Sequence, residues 1–162
     1  MRIAYVAAAA ALSACATAAP AGLSESDMQA LSALNKAYTD GWLLEGVEAQ
    51  QAAVMPLFTK DATIMPGRGT PPRTGEADII AFWFPDGVPA TSVSHFDHGA
   101  GDISGDGDTA AISGWYTLDF EFLGDAYAQE GNYMMVAERQ TDGAWLIDRI
   151  IWNDRDVEED DE

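Results

Sequence analysis

Apolar residues in the first half of the chain follow the spacing of amphipathic helices. Between Ser24 and Gly46 they recur at intervals of three or four, which places them on one face of a helix. This stripe consists of Met28, Leu31, Leu34, Tyr38 and Trp42. Ser24 or Ser26 can cap the helix at its start, and Gly46 is suited to end it. We predict two further helical segments at residues 48–58 and 75–83.

The second half of the chain alternates between apolar and polar positions, which is the pattern of strands that bury one face. The predicted strands are residues 62–65, 91–98, 109–122, 130–139 and 144–153. Asp142-Gly143 between the last two indicates a two-residue hairpin turn, which sets Val136 opposite Arg149. Helices followed by antiparallel strands predict the α+β class. Because both faces of this hairpin are apolar, we expect helices to cover one face and a partner subunit the other.

Composition is that of a globular protein with an excess of acid. The chain has 162 residues, of which 48% are hydrophobic and 22% are charged, enough for one domain. It carries 27 Asp and Glu residues against 8 Lys and Arg residues, a formal net charge of −19. This charge disfavours binding to nucleic acids and to anionic membrane surfaces, because both need basic residues to neutralise phosphate groups.

The N-terminal residues have the pattern of a bacterial export signal. Arg2 supplies a positive charge, and residues 3–12 form an uncharged apolar run that is too short to span a bilayer as a helix. The run ends in Leu-Ser-Ala-Cys at 12–15, which resembles a lipobox and implies lipid attachment at Cys15. The alternative is ordinary cleavage at a small-residue site such as 16–18, in which case Cys15 is lost with the signal.

These signals divide the chain into four parts. We predict a signal peptide at residues 1–14, a tether at 15–23, one domain at 24–154 and a disordered acidic tail at 155–162. Cys15 is the only cysteine, so no disulfide can form within the domain. We expect the protein to be exported to the periplasmic side of the cell envelope and anchored there through lipid on Cys15.

Five segments, in this order, resemble the SnoaL-like, or DUF4440-type, branch of the NTF2-like superfamily. They are Ala-Leu-Asn-Lys-Ala-Tyr at 33–38, Leu-Phe-Thr-Lys-Asp-Ala at 57–62, Met-Pro-Gly at 65–67, the segment from Thr-Gly to Ile-Ile-Ala-Phe-Trp at 74–83, and the hairpin from Gly-Asn-Tyr to Ile-Trp-Asn at 131–153. The resemblance implies a cone-shaped barrel, with N-terminal helices packed in a curved antiparallel sheet around a pocket. It also implies a homodimer formed through the sheet. No reaction follows, because this fold hosts many enzymes and non-catalytic modules.

The resemblance further implies which side chains line the pocket. The set is Asn35, Tyr38, Trp42, Trp83, Tyr116, Glu138, Arg149 and Asn153. Asn35 lies within the apolar stripe of the first helix, so it either bonds the backbone or donates to a ligand carbonyl. Arg149 and Glu138 either form a structural ion pair or hold a carboxylate or enolate oxygen of a ligand. The resemblance assigns no catalytic residue.

Two other groups of residues carry candidate chemistry. His95 and His98 lie at the end of a predicted strand, where we expect them at the surface. Acid–base catalysis by a histidine, with Asp97 as its orienting group, is the alternative. The acidic segment 102–108 resembles the start of a calcium loop, but its twelfth position is Ser113 rather than glutamate, so we predict a turn.

Arg68 and Arg73 fall in a Pro/Gly-rich loop at 66–73, where they either form an anion site at the pocket mouth or make ordinary loop contacts. We predict no metal site and no cofactor. Three functions stay open: binding of a small apolar or amphipathic molecule, general acid–base catalysis on such a molecule, and a protein-interaction module. A pocket that holds a buried Asp, Glu or His would favour the enzyme. A pocket without one would favour binding, and a filled interior would favour the module.

Overall fold

A curved sheet of seven strands packs against three α-helices in the computed structural model, which describes residues 22–99 and 101–156. The helices are α1 (Glu25–Trp42), α2 (Val47–Val54) and α3 (Glu76–Trp83), and a 3₁₀ helix at Met55–Leu57 follows α2. The strands are β1 (Phe58–Met65), β2 (Arg73–Thr74), β3 (Ser92–His98), β4 (Asp102–Asp106), β5 (Thr109–Phe122), β6 (Asp125–Arg139) and β7 (Trp145–Asp156). Within these residues, every helix is too short or too polar to cross a membrane.

The sheet is mixed and open. Its strands follow the order β2-β1-β7-β6-β5-β3, and β4 pairs with β5 on the same edge as β3. Strand β1 runs parallel to β7, whereas the other pairs among the described strands are antiparallel. The predicted α+β class is confirmed. The sheet is not wholly antiparallel and does not close into a barrel, because β1 enters beside the last strand and not through a hairpin.

Ser24, one of the two predicted caps, is the N-cap of helix α1. The Ser24 hydroxyl accepts from the backbone N–H of Asp27 at 3.2 Å, and the Asp27 carboxylate accepts from the Ser24 N–H at 3.0 Å. The predicted stripe is buried at Leu31, Leu34, Tyr38 and Trp42. Met28 departs from this stripe with 37% of its surface exposed, and Asp27 is buried in its place. The first turn of α1 therefore meets the sheet through a carboxylate.

The hairpin of β6 and β7 differs from the predicted one in its loop and in one register shift. Residues 140–144 form a loop longer than the predicted two-residue turn. A β-bulge then shifts the register between Val136 and Ala137. Val136 still lies opposite Arg149, as predicted, because the longer loop and the bulge compensate each other. The bulge does reverse the alternation along β7, since Ile147 and Ile150 are both buried.

The reversal along β7 corrects Arg149 and Asn153 as pocket residues, and the longer loop corrects Glu138, which it sets opposite Leu146. Arg149, Glu138 and Asn153 are exposed and do not reach the interior. Arg149 bonds its neighbour Asp148 at 3.1 Å and not Glu138. Asn153 accepts a hydrogen bond from the backbone N–H of Asn132 at 2.9 Å. The predicted inward face assumed unbroken alternation, and one extra residue in a strand exchanges its two faces.

The ends of the described chain extend slightly beyond the predicted domain. Gly22 forms an isolated β-bridge with Asp106, so the end of the predicted tether contacts the β4–β5 turn. Strand β7 continues to Asp156, two residues into the predicted tail. The predicted signal peptide, Cys15 and residues 157–162 lie outside the described residues.

Candidate functional site

A cavity of about 220 Å³, partly open to solvent, lies between α1, α3 and the inner face of the sheet. Aromatic rings form much of its wall, among them Tyr38, Trp42, Trp83, Phe96, Tyr116 and Trp152. These rings contact one another closely: the ring centroids of Trp42 and Trp83 are 5.3 Å apart, and those of Tyr38 and Phe96 are 5.8 Å apart. The cavity is thus mainly apolar, as small-molecule sites usually are.

Local periodicity explains how these rings reach one cavity. Tyr38 and Trp42 are four residues apart on α1, so both lie on the face that meets the sheet. Tyr116 and Leu118 share one face of β5, because alternate residues of a strand point the same way. Buried Gln50 holds this end of the cavity together, since its amide donates to the backbone carbonyl oxygen atoms of Trp42 at 2.9 Å and Thr91 at 2.8 Å.

His98, the last residue of β3, is the principal polar group of the cavity. Its Nδ1 lies 2.8 Å from Oδ1 of Asn35, and Nδ2 of Asn35 donates to the Tyr133 hydroxyl at 3.1 Å. An amide oxygen only accepts hydrogen bonds, so Nδ1 of His98 carries the proton and Nε2 carries the lone pair. The imidazole also stacks on the Tyr133 ring, with 3.7 Å between centroids. The expectation that both histidines lie at the surface is therefore wrong for His98.

The titratable groups in the cavity wall are uncharged at neutral pH. Burial among aromatic rings lowers the pKa of His98 to about 3, because an imidazolium ion there would lose its hydration. Burial raises the pKa of both Tyr38 and Tyr116, and the Asp154 carboxylate raises that of Tyr116 further. The cavity therefore presents a neutral imidazole and protonated phenols to any molecule inside it.

Several polar atoms of the cavity wall have no protein partner. Within the described residues, Nε2 of His98 and the Tyr116 hydroxyl form no hydrogen bond. The buried indole N–H of Trp42 has none either. This indole N–H lies close to the Tyr38 hydroxyl, where it lowers the pKa of Tyr38 slightly, whereas burial raises that pKa by more. The indole N–H of Trp42 is fully buried and faces Tyr38, so Nε2 of His98 and the Tyr116 hydroxyl are the polar atoms on which a bound molecule or water could form a hydrogen bond.

The other predicted residues occupy different places. Asn35 does not line the cavity but lies on the wall of a surface groove between α1 and β3, where it orients His98. His95 is exposed and bonds Thr117 at 2.8 Å. Arg68 pairs with Asp154 at 2.6 Å, whereas the Arg73 guanidinium lies 5.6 Å from the centre of the Phe82 ring. The two arginines thus have separate contacts.

The predicted turn at 102–108 is confined to residues 107–108, because residues 102–106 form strand β4, which was not predicted. Asp106 pairs with Thr109 across this turn. Among the residues that the structure describes, no group of three or more His, Cys, Asp or Glu side chains is arranged to hold a metal ion.

The sequence analysis gave no cavity role to His98, Tyr133 or Trp152. The inward position of His98 could have been predicted from Phe96, because residues two apart in a strand share a face and Phe96 is apolar. Trp152 faces the cavity because the bulge reverses the alternation along β7, and this local feature has no signature in the sequence. For Tyr133, the sequence pattern predicted a strand but did not indicate that the side chain faces a cavity.

Comparison with known proteins gives the fold but no closer relationship. No protein-family model and no curated protein matches the chain. A ketosteroid isomerase-like protein from Erwinia carotovora aligns with a TM-score of 0.66 and 13% identity, over 83% of this chain and 99% of its own. A conserved protein from Planctomyces limnophilus gives 0.66 and 14%, over 83% and 100% of the two chains.

A third solved structure is described by the name of the fold itself. This NTF2-like protein of unknown function from Pseudomonas putida aligns with a TM-score of 0.60 and 12% identity, over 82% of this chain and 89% of its own. Identities this low establish architecture and leave the reaction open. The described residues have the NTF2-like fold.

Proposed function

We propose that this protein binds a small, largely apolar molecule in the internal cavity. The observation that carries the proposal is the cavity of about 220 Å³, which is walled by aromatic rings and contains few polar atoms. A concave apolar pocket with a few polar groups is the usual form of a small-molecule site. The unpaired Nε2 of His98 supports the same conclusion.

Filling the cavity tests this proposal. Leu118 lies on the cavity wall, so Leu118→Trp should occupy the space a ligand needs. Leu123→Trp is the matched control, since Leu123 is 68% exposed in a turn. Thermal-shift measurements with a panel of small aromatic molecules should show stabilisation of the wild type and of the control, and little of Leu118→Trp. Equal responses of all three proteins would contradict the proposal.

General acid–base catalysis on the bound molecule is a second candidate, supported by His98. A buried histidine in the pocket is the feature expected of an enzyme, and its imidazole is held by Asn35. Its pKa of about 3 makes it a weak proton acceptor at neutral pH, so binding is the better-supported function. The relative from Erwinia carotovora is named as ketosteroid isomerase-like. A screen for isomerase, dehydratase and hydrolase turnover should find activity that His98→Gln abolishes and His95→Gln retains. Activity that survives in His98→Gln would exclude this role.

Export and lipid anchoring complete the proposed function. They rest on the sequence at 1–15, where an apolar run ends in Leu-Ser-Ala-Cys. Replacement of Cys15 by Ser should move the protein from the membrane fraction to the soluble fraction of the envelope. Unchanged membrane partitioning of this variant would argue against the anchor.

A further inference from the structure

We propose that the internal cavity selects an uncharged hydroxyl compound, an alcohol or a phenol, whose O–H donates a hydrogen bond to Nε2 of His98. The inference rests on the proposed function and specifies the polar group of the bound molecule. Asn35 positions the imidazole for this contact.

The first step is the fixed direction of the imidazole. Asn35 uses both ends of its amide, with Nδ2 donating to the Tyr133 hydroxyl and Oδ1 accepting from Nδ1 of His98. With the amide in this orientation, Nδ1 of His98 must be the donor, whereas the opposite orientation would place the proton on Nε2. Stacking on Tyr133 at 3.7 Å and edge contact with Phe96 at 4.9 Å hold the imidazole plane. Nδ1 is turned towards Asn35 in the groove, and His98 also lines the cavity, so we infer that Nε2 faces the cavity as a preoriented acceptor.

The second step is the exclusion of other polar groups. A ketone or an ether has no proton to donate, so it would leave the lone pair of Nε2 without a partner in a desolvated cavity. A carboxylate would place its negative charge against that lone pair, among neutral tyrosine hydroxyls and in a protein of net charge −19. A hydroxyl group is neutral and supplies the donor. Sites that hydrogen-bond a substrate hydroxyl discriminate strongly against analogues that lack it.

A matched series of probes tests this selectivity. Titration calorimetry at neutral pH would compare β-naphthol with its methyl ether, with naphthalene and with β-naphthoate. We expect β-naphthol to bind at least about tenfold more tightly than the other three, a factor in the range seen when a buried polar group loses its partner. Equal affinity of naphthol and naphthalene would overturn the inference while leaving the proposed function intact. Absence of binding by all four would contradict the proposed function as well.

Two variants assign the selectivity to one histidine. His98→Phe preserves a ring that can stack on Tyr133 but removes the acceptor, so its preference for naphthol over naphthalene should disappear. His95→Phe is the matched control, because His95 is exposed and lies outside the cavity, and it should retain the preference. An unchanged preference in His98→Phe would overturn the inference.

Nitrogen NMR of the wild-type protein tests the contact without any change to the cavity. The imidazole signals can be assigned through His95→Gln, since the chain has two histidines. Free protein should show Nε2 of His98 as an unprotonated nitrogen, and β-naphthol should shift this signal in the direction of hydrogen-bond acceptance. A protonated Nε2 in the free protein, or no shift with bound naphthol, would refute the assignment.

Discussion

At the scale of single residues, the burial of His98 connects the candidate site to the stability of the fold. Its imidazole is enclosed by aromatic rings, including Tyr116 at 6.2 Å and Tyr38 at 5.6 Å between centroids. Its one described hydrogen bond is to the neutral side chain of Asn35. Such surroundings favour the uncharged form of histidine, and the cost of protonating it must appear in the free energy of unfolding.

His98 should make the protein less stable as the pH falls below about 6.5. The folded protein has a His98 pKa of about 3, against 6.5 for an ordinary histidine, so the unfolded chain binds a proton that the folded protein excludes. The resulting loss is at most about 1.4 kcal/mol per pH unit. Urea unfolding at about pH 7.5 and about pH 5 should show a larger loss for the wild type than for His98→Gln.

His95 provides the control for this measurement. It is exposed and bonds Thr117, so His95→Gln should lose about as much stability as the wild type does between the two pH values. If His98→Gln instead lost as much as the wild type, the imidazole would not be desolvated in the folded protein.

Residue faces were predictable where periodicity is unbroken. Tyr38 and Trp42 follow from helical spacing and Tyr116 from strand alternation, and all three lie on the cavity wall. Arg149 could not be assigned correctly, because a bulge exchanges the faces of a strand and its position depends on contacts distant in sequence. His98 was underestimated because histidine polarity suggested the surface, whereas its position two residues after Phe96 places it inside.

At the scale of elements, the start of α1 is fixed to the sheet by a network around Asp27. Besides capping the helix, its carboxylate accepts from Arg139 at 2.6 Å and from the indole N–H of Trp145 at 3.3 Å. The hydrogen bond from Arg139 holds the pKa of Asp27 well below its usual range, with Ser24 adding to the effect. The Arg139 guanidinium also lies 4.5 Å from the centre of the Trp145 ring. One carboxylate thus joins α1, β6 and β7.

Replacement of Asp27 should therefore cost more stability than replacement of another acid on the same helix. Asp40 is the matched control, since it pairs with exposed Lys36 one turn away and such pairs contribute about 0.3–0.5 kcal/mol. Asp27→Ala should lower the free energy of unfolding several times more than Asp40→Ala in urea titrations at neutral pH. Equal losses would show that the network around Asp27 does not anchor the helix.

The helices and the longer strands were predictable from the sequence, whereas the short strands β2 and β4 were not, and pairing was only partly predictable. The stripe that ends at Trp42 predicted α1, and Asp142-Gly143 predicted a β6–β7 hairpin at the correct place. The loop is longer because Asp142 turns the backbone itself, through its Oδ1 and the N–H of Ala144 at 3.0 Å. The parallel pairing of β1 with β7 joins segments far apart in sequence, and local patterns carry no information about such a pair.

At the scale of the whole molecule, the outer face of the sheet presents an apolar patch. Trp115 is 45% exposed, and Met134 and Ile151 are 46% exposed each. Met134 pairs directly with Ile151 across β6 and β7, and Trp115 lies on the adjacent strand β5. Contiguous exposed apolar surface on an otherwise acidic protein is typical of an interaction site. The homodimer proposed from the sequence would cover this patch.

Association through this patch should be sensitive to one buried charge. Met134→Glu should shift the protein towards monomer in sedimentation equilibrium, because a carboxylate at an apolar interface loses its hydration. Met28→Glu is the matched control, since Met28 is similarly exposed at 37% but lies on α1. A wild type that stays monomeric at all concentrations would contradict the proposed dimer, as would equal effects of the two variants.

The central claim is that the aromatic cavity holds a small molecule, and native mass spectrometry tests it most directly. The wild-type protein would be expressed with its own N-terminal segment, extracted under non-denaturing conditions and analysed for added mass. We expect a non-covalent small-molecule adduct on the wild type and on Leu123→Trp. Leu118→Trp should carry no adduct, because its new indole fills the cavity. A wild type without any adduct, whose mass also stays unchanged after incubation with a broad small-molecule extract, would contradict this claim.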